Sequence, residues 1–447
     1  MTAGPTAPAP PGTQPVAPGS ILPAPGGAPG GAVAPGSAGS VGSILSRGLE
    51  GTPGLLRKLA ALAVVASLLF GAVGALAFRG WHGALSDARA QAAQMVRIQT
   101  VQNDLVKADA AATTAYLQGG VESTALSATY DAAITEAATL LAEAAATSAD
   151  VEQLTVANAG LADYTGLIEQ ARANNRQGLQ VGAAYLRQAG TVLRGDIVPA
   201  LESISSSAER RLSSDFRTLN IWTAVLAVGS LLALAGLVAA QVVLASRTKR
   251  RINLPLAVAT GLLLLAAALS TAVLFSTANR VQSAADGPYQ VSANLADART
   301  AAFDAKSQES LGLIARGNAA SFESTAQSQL ARANADLKRI GSTDADPGTV
   351  ATALNAWAAQ HTQVRKLDDG GSWVQARNLA IGKSQETFAA FDDVSAKALD
   401  ASAAQVDSAL GSGGVLQRVL GWGILALGII AAIASLTGIS ERLREYR

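Results

Sequence analysis

Four uninterrupted apolar runs stand out in the pattern of hydrophobic and polar positions, at residues 55–78, 221–245, 254–275 and 419–439. Each is long enough to cross a hydrocarbon core of about 30 Å as a helix rising about 1.5 Å per residue. A buried helix of a soluble domain seldom runs so far without a charge, so the four runs predict transmembrane spans. Gln241 is the one strongly polar side chain in the second run. Such a group either hydrogen-bonds to a neighbouring span or reaches the membrane interface.

Between the spans the pattern turns helical. Residues 79–220 and 276–418 are two stretches of about 140 residues, each the size of a single domain. Both are rich in Ala, Leu, Gln, Glu and Asp and almost free of internal proline, which is helical composition. Val101, Leu105, Ala108, Ala112 and Tyr116 recur at spacings of three and four, and Val291, Leu295, Ala298, Ala302 and Phe303 do much the same. Such spacing makes one apolar face for a bundle core. Helix breakers fall at Gly119-Gly120, near Ser148 and at Asn174-Asn175, then at Gly317-Asn318, Asp346-Pro347-Gly348 and Gly370-Gly371. Three breaks divide each stretch into four helices in up-down-up-down order.

The two stretches also align. Asn158-Ala159 with Tyr164-Thr165 matches Asn355-Ala356 with His361-Thr362 at one constant offset. The chain therefore reads as two copies of span, four-helix bundle, span. The predicted fold is an all-α membrane protein with four transmembrane helices and two extracytoplasmic four-helix bundles in tandem. No Gly or Pro cluster separates the first span from the helix beyond Trp81, and residues 215–220 run unbroken into the second. The first and fourth helices of a bundle are then extensions of the spans. A continuous helix of ~60 residues is ~90 Å long and can carry a displacement or rotation across a bilayer. A rigid spacer has the same appearance in sequence.

Basic residues near the span ends set the expected orientation. Arg57 and Lys58 lie in the first turn of span one, the loop at residues 246–253 carries Arg247, Lys249, Arg250 and Arg251, and Arg442, Arg444 and Arg447 follow span four. An even number of spans puts all three clusters on one side, the cytoplasm, although Arg79, Arg217, Arg280 and Arg418 flank the other. This places the protein in the plasma membrane with both termini cytoplasmic and residues 440–447 as a short C-terminal end. Trp81, Trp222 and Trp422 lie near the outer ends, where indole rings favour the interface. The basic loop is expected to anchor the hairpin against anionic lipid at about 1 kcal/mol per charge, with docking of an acidic cytosolic protein as its alternative use. Residues 1–45 hold ten of the fifteen prolines; that composition cannot bury a core and predicts a disordered cytoplasmic tail.

Composition narrows the chemistry. Only 15% of the 447 residues are charged, against about 25% in a soluble domain. The net charge is +1, without the basic stripe that nucleic-acid binding requires. There is no Cys, and His occurs only at 82 and 361, which excludes thiolate metal sites, disulfides and a Cys nucleophile and argues against a His-based relay. No GxSxG, HExxH, Walker A or GxGxxG motif occurs. No enzyme, cofactor or metal is expected. The pairs Asp368-Asp369 and Asp392-Asp393 point about 100° apart on a helix and read as solvated surface charge. The best candidate contact patch is Tyr185, Arg187 and Arg194, with Arg97 facing it: Arg187 and Arg194 share a helix face and suit a carboxylate ligand or an acidic partner surface. The bland alternative for each is an exposed, solvated arginine. Pro199 is expected to kink its helix.

One span, a four-helix bundle and a second span resembles the extracytoplasmic sensor modules of chemoreceptors and sensor kinases. Two such modules in tandem, a Pro-rich tail and no output domain resemble the actinobacterial GlnX-type membrane proteins. The segment that carries this most is Gly178-Leu179-Gln180-Val181-Gly182-Ala183-Ala184-Tyr185-Leu186-Arg187, continuing to Arg194 and Ile197-Val198-Pro199-Ala200. The resemblance implies an amino-acid sensor that depends on partners: a glutamine-type solute-binding lipoprotein outside and protein kinase G inside. It also admits a homodimer. The second copy departs from the pattern, with Val394 in the place of Pro199. On these grounds the leading reading is a non-enzymatic transmembrane signal transducer. An envelope scaffold without sensing is the alternative. A transporter comes third, because beyond Arg57 and Lys58 at the edge of the first the spans carry no Asp, Glu, Lys or Arg.

Overall fold

A computed structural model describes residues 52–120, 123–147, 149–248, 253–340, 347–411 and 414–444. The tail at 1–45, Lys249, Arg250 and Arg251 of the basic loop and the side chain of Arg247 lie outside the described residues. Among the described residues the chain is α-helical with two π-helical turns and no strand.

Helix α1 (Thr52–Gln118) is 67 residues long, about 100 Å at 1.5 Å per residue. It passes from the first apolar run through Trp81 into the first bundle without a break. Gly119 and Gly120 end it in left-handed conformations, with φ of 69° and 68°, which only glycine adopts at no steric cost. The first bundle is completed by α2 (Thr124–Thr147), α3 (Val151–Arg176), α4 (Gly182–Val192) and α5 (Val198–Thr248), the last returning through the second apolar run. Between α4 and α5 the helix widens to one π-helical turn at Leu193–Ile197. Pro199 follows at once and offers no N–H to the carbonyl one turn earlier, so the proline is absorbed by the wider turn. That turn packs closely: a Cβ on Gly160 of α3 would lie 2.6 Å from Ile197 Cγ1.

The second copy begins with α6 (Leu254–Ala284), which continues through a π-helical turn at Ala285–Tyr289, containing Pro288, into α7 (Gln290–Ile314). Then come α8 (Ala320–Arg339), α9 (Pro347–Asp369), α10 (Trp373–Ile381) and α11 (Lys383–Gly411). The last span lies in α12 (Gly414–Arg444). Continuity from a span into a bundle therefore holds for α1, α5 and the α6–α7 rod; the α11–α12 junction lies outside the described residues.

Four helices are each long and apolar enough to cross a membrane, over Gly54–Gln118, Gly182–Ser246, Leu254–Arg280 and Val419–Ser440. Helix α1 packs against α5 and α12, and α6 closes the square between those two. Helices α1 and α12 approach backbone to backbone: a Cβ on Gly428 would sit 2.7 Å from Gly71 Cα, the close contact that small residues permit in lipid. Gln241 Nε2 donates to Leu256 O at 3.0 Å and to Thr260 Oγ1 at 2.5 Å, so this glutamine joins two spans and does not turn to the interface. Trp422 is exposed, but Trp81 is fully buried and Trp222 lies over Gly80. Two of the three expected interfacial tryptophans thus pack inward.

The bundles do not stand apart. The first closes around Ile98, Leu105, Leu141, Tyr164, Ile168 and Leu201, the second around Leu295, Phe303, Trp357, Phe388 and Phe391. Their first helices, α1 and α7, pack along each other. Residues 108–115 and 301–313 are buried throughout. Alanines at 108, 110–112, 298, 301, 302 and 305 allow this close approach, and the polar residues in the same stretches must find partners inside.

Candidate functional site

The seam between α1 and α7 holds a buried charge network. Asp109 of α1 and Asp304 of α7 converge on one cation, Arg194, which the π-helical turn aims inward from the fourth helix of the first bundle. Arg194 Nε donates to Asp304 Oδ1 at 2.7 Å and Nη2 to Asp109 Oδ2 at 2.9 Å; Nη1 reaches Gly190 O at 3.2 Å. Ser307 Oγ of α7 donates to Asp109 Oδ2 at 2.6 Å, and Thr114 and Ser310 pair across the seam at 3.2 Å. Tyr164 OH lies 3.4 Å from Asp109 Oδ1. Burial by itself would lower the Arg194 pKa, but the two carboxylates outweigh it and hold the guanidinium above its ordinary value. Tyr164 is pushed well above the usual phenol range, first by burial and then by Asp109.

A second network is enclosed in the other bundle. Glu309 of α7 accepts from Lys306 Nζ at 2.6 Å and from Ser384 Oγ at 3.0 Å, with His361 Nδ1 at 2.9 Å. Trp357 Nε1 donates to Ser384 Oγ at 3.0 Å. Beyond the imidazole, Nε2 lies 3.2 Å from Glu323, and Glu323 in turn meets Arg365 at 3.3 Å. Burial raises and Lys306 and His361 lower the Glu309 pKa, which ends at about 2. Burial lowers but Glu309 and Glu323 raise that of His361, which ends at about 9. The pair is therefore carboxylate and imidazolium at neutral pH.

A third group bridges the bundles. Asp392 of α11 accepts from Arg299 Nη2 at 2.7 Å and pairs with Lys107 of α1 at 2.9 Å. Asp368 is likewise tied, to Arg365 at 2.7 Å. The expectation that these two aspartates are free surface charge does not hold. Their cations come from other turns or other helices, which adjacent-residue geometry could not reveal.

The proposed contact patch is not assembled as one surface. Arg97 donates to Gln94 at 2.9 Å and faces Glu143 at 3.5 Å. Arg187 is exposed, Tyr185 packs on the first bundle's core, and Arg194 turns into the seam. Asp109, Asp304, Lys306, Glu309 and His361 escaped sequence reasoning as functional residues. Lys306 and Glu309 stand at i and i+3, the spacing of an ordinary exposed ion pair. Their one signal was position in an Ala- and Ser-rich helix with no clear polar side. Among the described residues no group of His, Cys, Asp or Glu is placed to hold a metal.

Residues 84–217 match the family model described as an actinobacterial sensor domain. The match covers the first bundle, Asp109, Tyr164 and Arg194 included. A signal-sensing role follows from this likeness. No curated protein and no solved structure matches the chain.

Proposed function

We propose that the chain is a non-enzymatic transmembrane signal transducer that responds to extracellular amino acid through a solute-binding lipoprotein and relays the state to a cytosolic Ser/Thr kinase of the protein kinase G type. In this reading it is a multi-pass plasma-membrane protein with both bundles outside and the tail, the basic loop and the C-terminal end inside. Those three segments are, in this reading, the surfaces on which the kinase docks. The observation that carries the reading is α1: one helix, Thr52–Gln118, runs from the membrane to Asp109 at the seam. At 1.5 Å per residue, Asp109 stands on the order of 45 Å beyond Phe78. A partner that binds one seam arrangement better than another shifts the population of the rods, and only that differential affinity can do so.

The test uses the full chain in nanodiscs, with the lipoprotein added with and without amino acid. Binding that differs between the two states supports the reading; equal or absent binding removes it. Inserting Gly-Gly-Gly after Arg79 should preserve outer binding and abolish the kinase response. An envelope scaffold would tolerate that insertion.

A further inference from the structure

A cleft opens where α1 and α2 of the first bundle meet α7 and α11 of the second. Its inner part has a volume of about 140 Å³ and is walled by Lys107, Leu126, Phe303, Gln385, Phe388 and Asp392, among others. Lys107 and Thr129 also line a wider, open part of about 510 Å³, together with Asp104 and Glu136. The combined space suits a small ligand.

Polar bookkeeping around the cleft is incomplete: Arg299 Nε is a buried donor without a partner among the described residues, and acceptors are left over nearer the opening. Lys107 and Arg299 are both engaged by Asp392. Phe303 lies beneath them, 6.0 and 5.5 Å from ring centre to cation, and Phe388 stands edge-on to it at 5.0 Å. Two acceptors are left over. Asp104 Oδ2 and Gln385 Oε1 are buried and have no hydrogen-bond partner among the described residues. Neither atom can donate when the carboxyl is ionised, and a buried acceptor without a donor is costly. Burial raises Asp104 to about 7, while Lys107 lowers it and Glu136 raises it further. Lys107 and Arg299 are held by Asp392, so what Asp104 lacks is a donor with positive charge of its own.

We propose that the cleft binds the primary ammonium group of a small ligand, held on Asp104 with Glu136 beside it and with the ligand body directed toward Phe303, Phe388 and Gln385. Two kinds of molecule carry that chemistry, an α-amino acid and an aliphatic diamine. The carboxylate of an amino acid would compete with Asp392 for Lys107 and so loosen an ion pair that joins the bundles; a diamine would leave that pair intact. The site gives the transducer reading a direct input that needs no lipoprotein.

The experiment is calorimetric titration of the full chain in nanodiscs with the common α-amino acids and 1,4-diaminobutane, each beside its N-acetylated counterpart. At least one free amine should bind, and acetylation or Asp104→Asn should weaken it by about tenfold or more, as loss of a charged hydrogen bond implies. Lys107→Met should weaken an amino acid but not the diamine. Asp104 is faced by Lys107 on its own helix, Glu136 on α2, Arg299 on α7 and Asp392 on α11. It must give up its proton to hold the cation, so affinity should rise from pH 6 to pH 8. Asp104→Asn removes a strained carboxyl and keeps its shape, and a thermal melt at or above the parent's confirms that it folds. No binding by any free amine at millimolar concentration, equal binding of acetylated probes, or unchanged affinity in Asp104→Asn overturns the proposal. Such a failure leaves lipoprotein binding and the Gly-Gly-Gly insertion result untouched.

Discussion

The two bundles share a frame and differ in where their buried charge is satisfied. Tyr164 and His361 occupy matching positions, at the offset that aligns Asn158 with Asn355. Each is buried, and each meets a carboxylate on the first helix of its bundle, Asp109 or Glu309. In the second bundle the charge closes on itself, through Lys306, Glu309 and His361. In the first, the tyrosine brings no charge. Asp109 is instead neutralised by Arg194, which it shares with Asp304 of the other bundle. A second difference follows at the same offset: Gly160 stands where the second copy has the fully buried Trp357. The missing side chain admits Ile197 of the π-helical turn, and that turn aims Arg194. One copy thus encloses its charge and the other exports it to the seam. A buried pair inside one core fixes that core, whereas a cation held by two bodies reports on how they sit together.

The largest test of this contrast is Glu309→Leu. It strands Lys306 as a buried cation and leaves His361 with Glu323 alone, and the second bundle should lose about 3–5 kcal/mol in thermal or denaturant unfolding. A loss under about 1 kcal/mol would mean that the network is hydrated and not enclosed.

Next is pH. The folded His361 pKa, about 9, exceeds the ordinary 6.5. Its contribution is therefore fully present below pH 6.5 and lost as pH rises through 9, up to about 3 kcal/mol. Hydrogen exchange should show this in α9 and not in α3, where Tyr164 stays neutral over the same window. Equal loosening of both bundles would erase the distinction.

Arg194→Met leaves Asp109 and Asp304 facing each other without their cation. About 2–3 kcal/mol should be lost, discounted because Arg194 is 29% exposed. The change should read out as separation of spin labels across α1 and α7 more than as melting of either bundle; an unchanged separation would count against a shared lock.

Smallest is Gly160→Ala, which places a methyl where Ile197 already sits and should cost about 1–3 kcal/mol. If Arg194 holds the seam through the π-helical turn, this variant and Arg194→Met should be non-additive in a double-mutant cycle.

Much of the frame was legible in the chain. The spans are apolar runs whose length is set by the bilayer, and the helical stretches show their period directly. Gly119, Gly120 and Gly371 mark helix ends because their backbones are left-handed, with φ of 69°, 68° and 77°, where any other side chain is strained. Arg194 was singled out, but as half of a surface pair with Arg187. Its real partners are 85 and 110 residues away, a distance that no periodicity reports. His361 was visible only as a rare residue.

Sequence alone determined the membrane-spanning, all-helical character of this protein, because hydrophobic length and helical period are local properties. Tertiary structure alone decided that the two bundles lie back to back, that residues 301–313 of α7 are buried on every side, and which carboxylate each cation serves. Those outcomes depend on which face of one Ala-rich helix meets another. Small residues allow several such faces, and burial of a few charges selects among them.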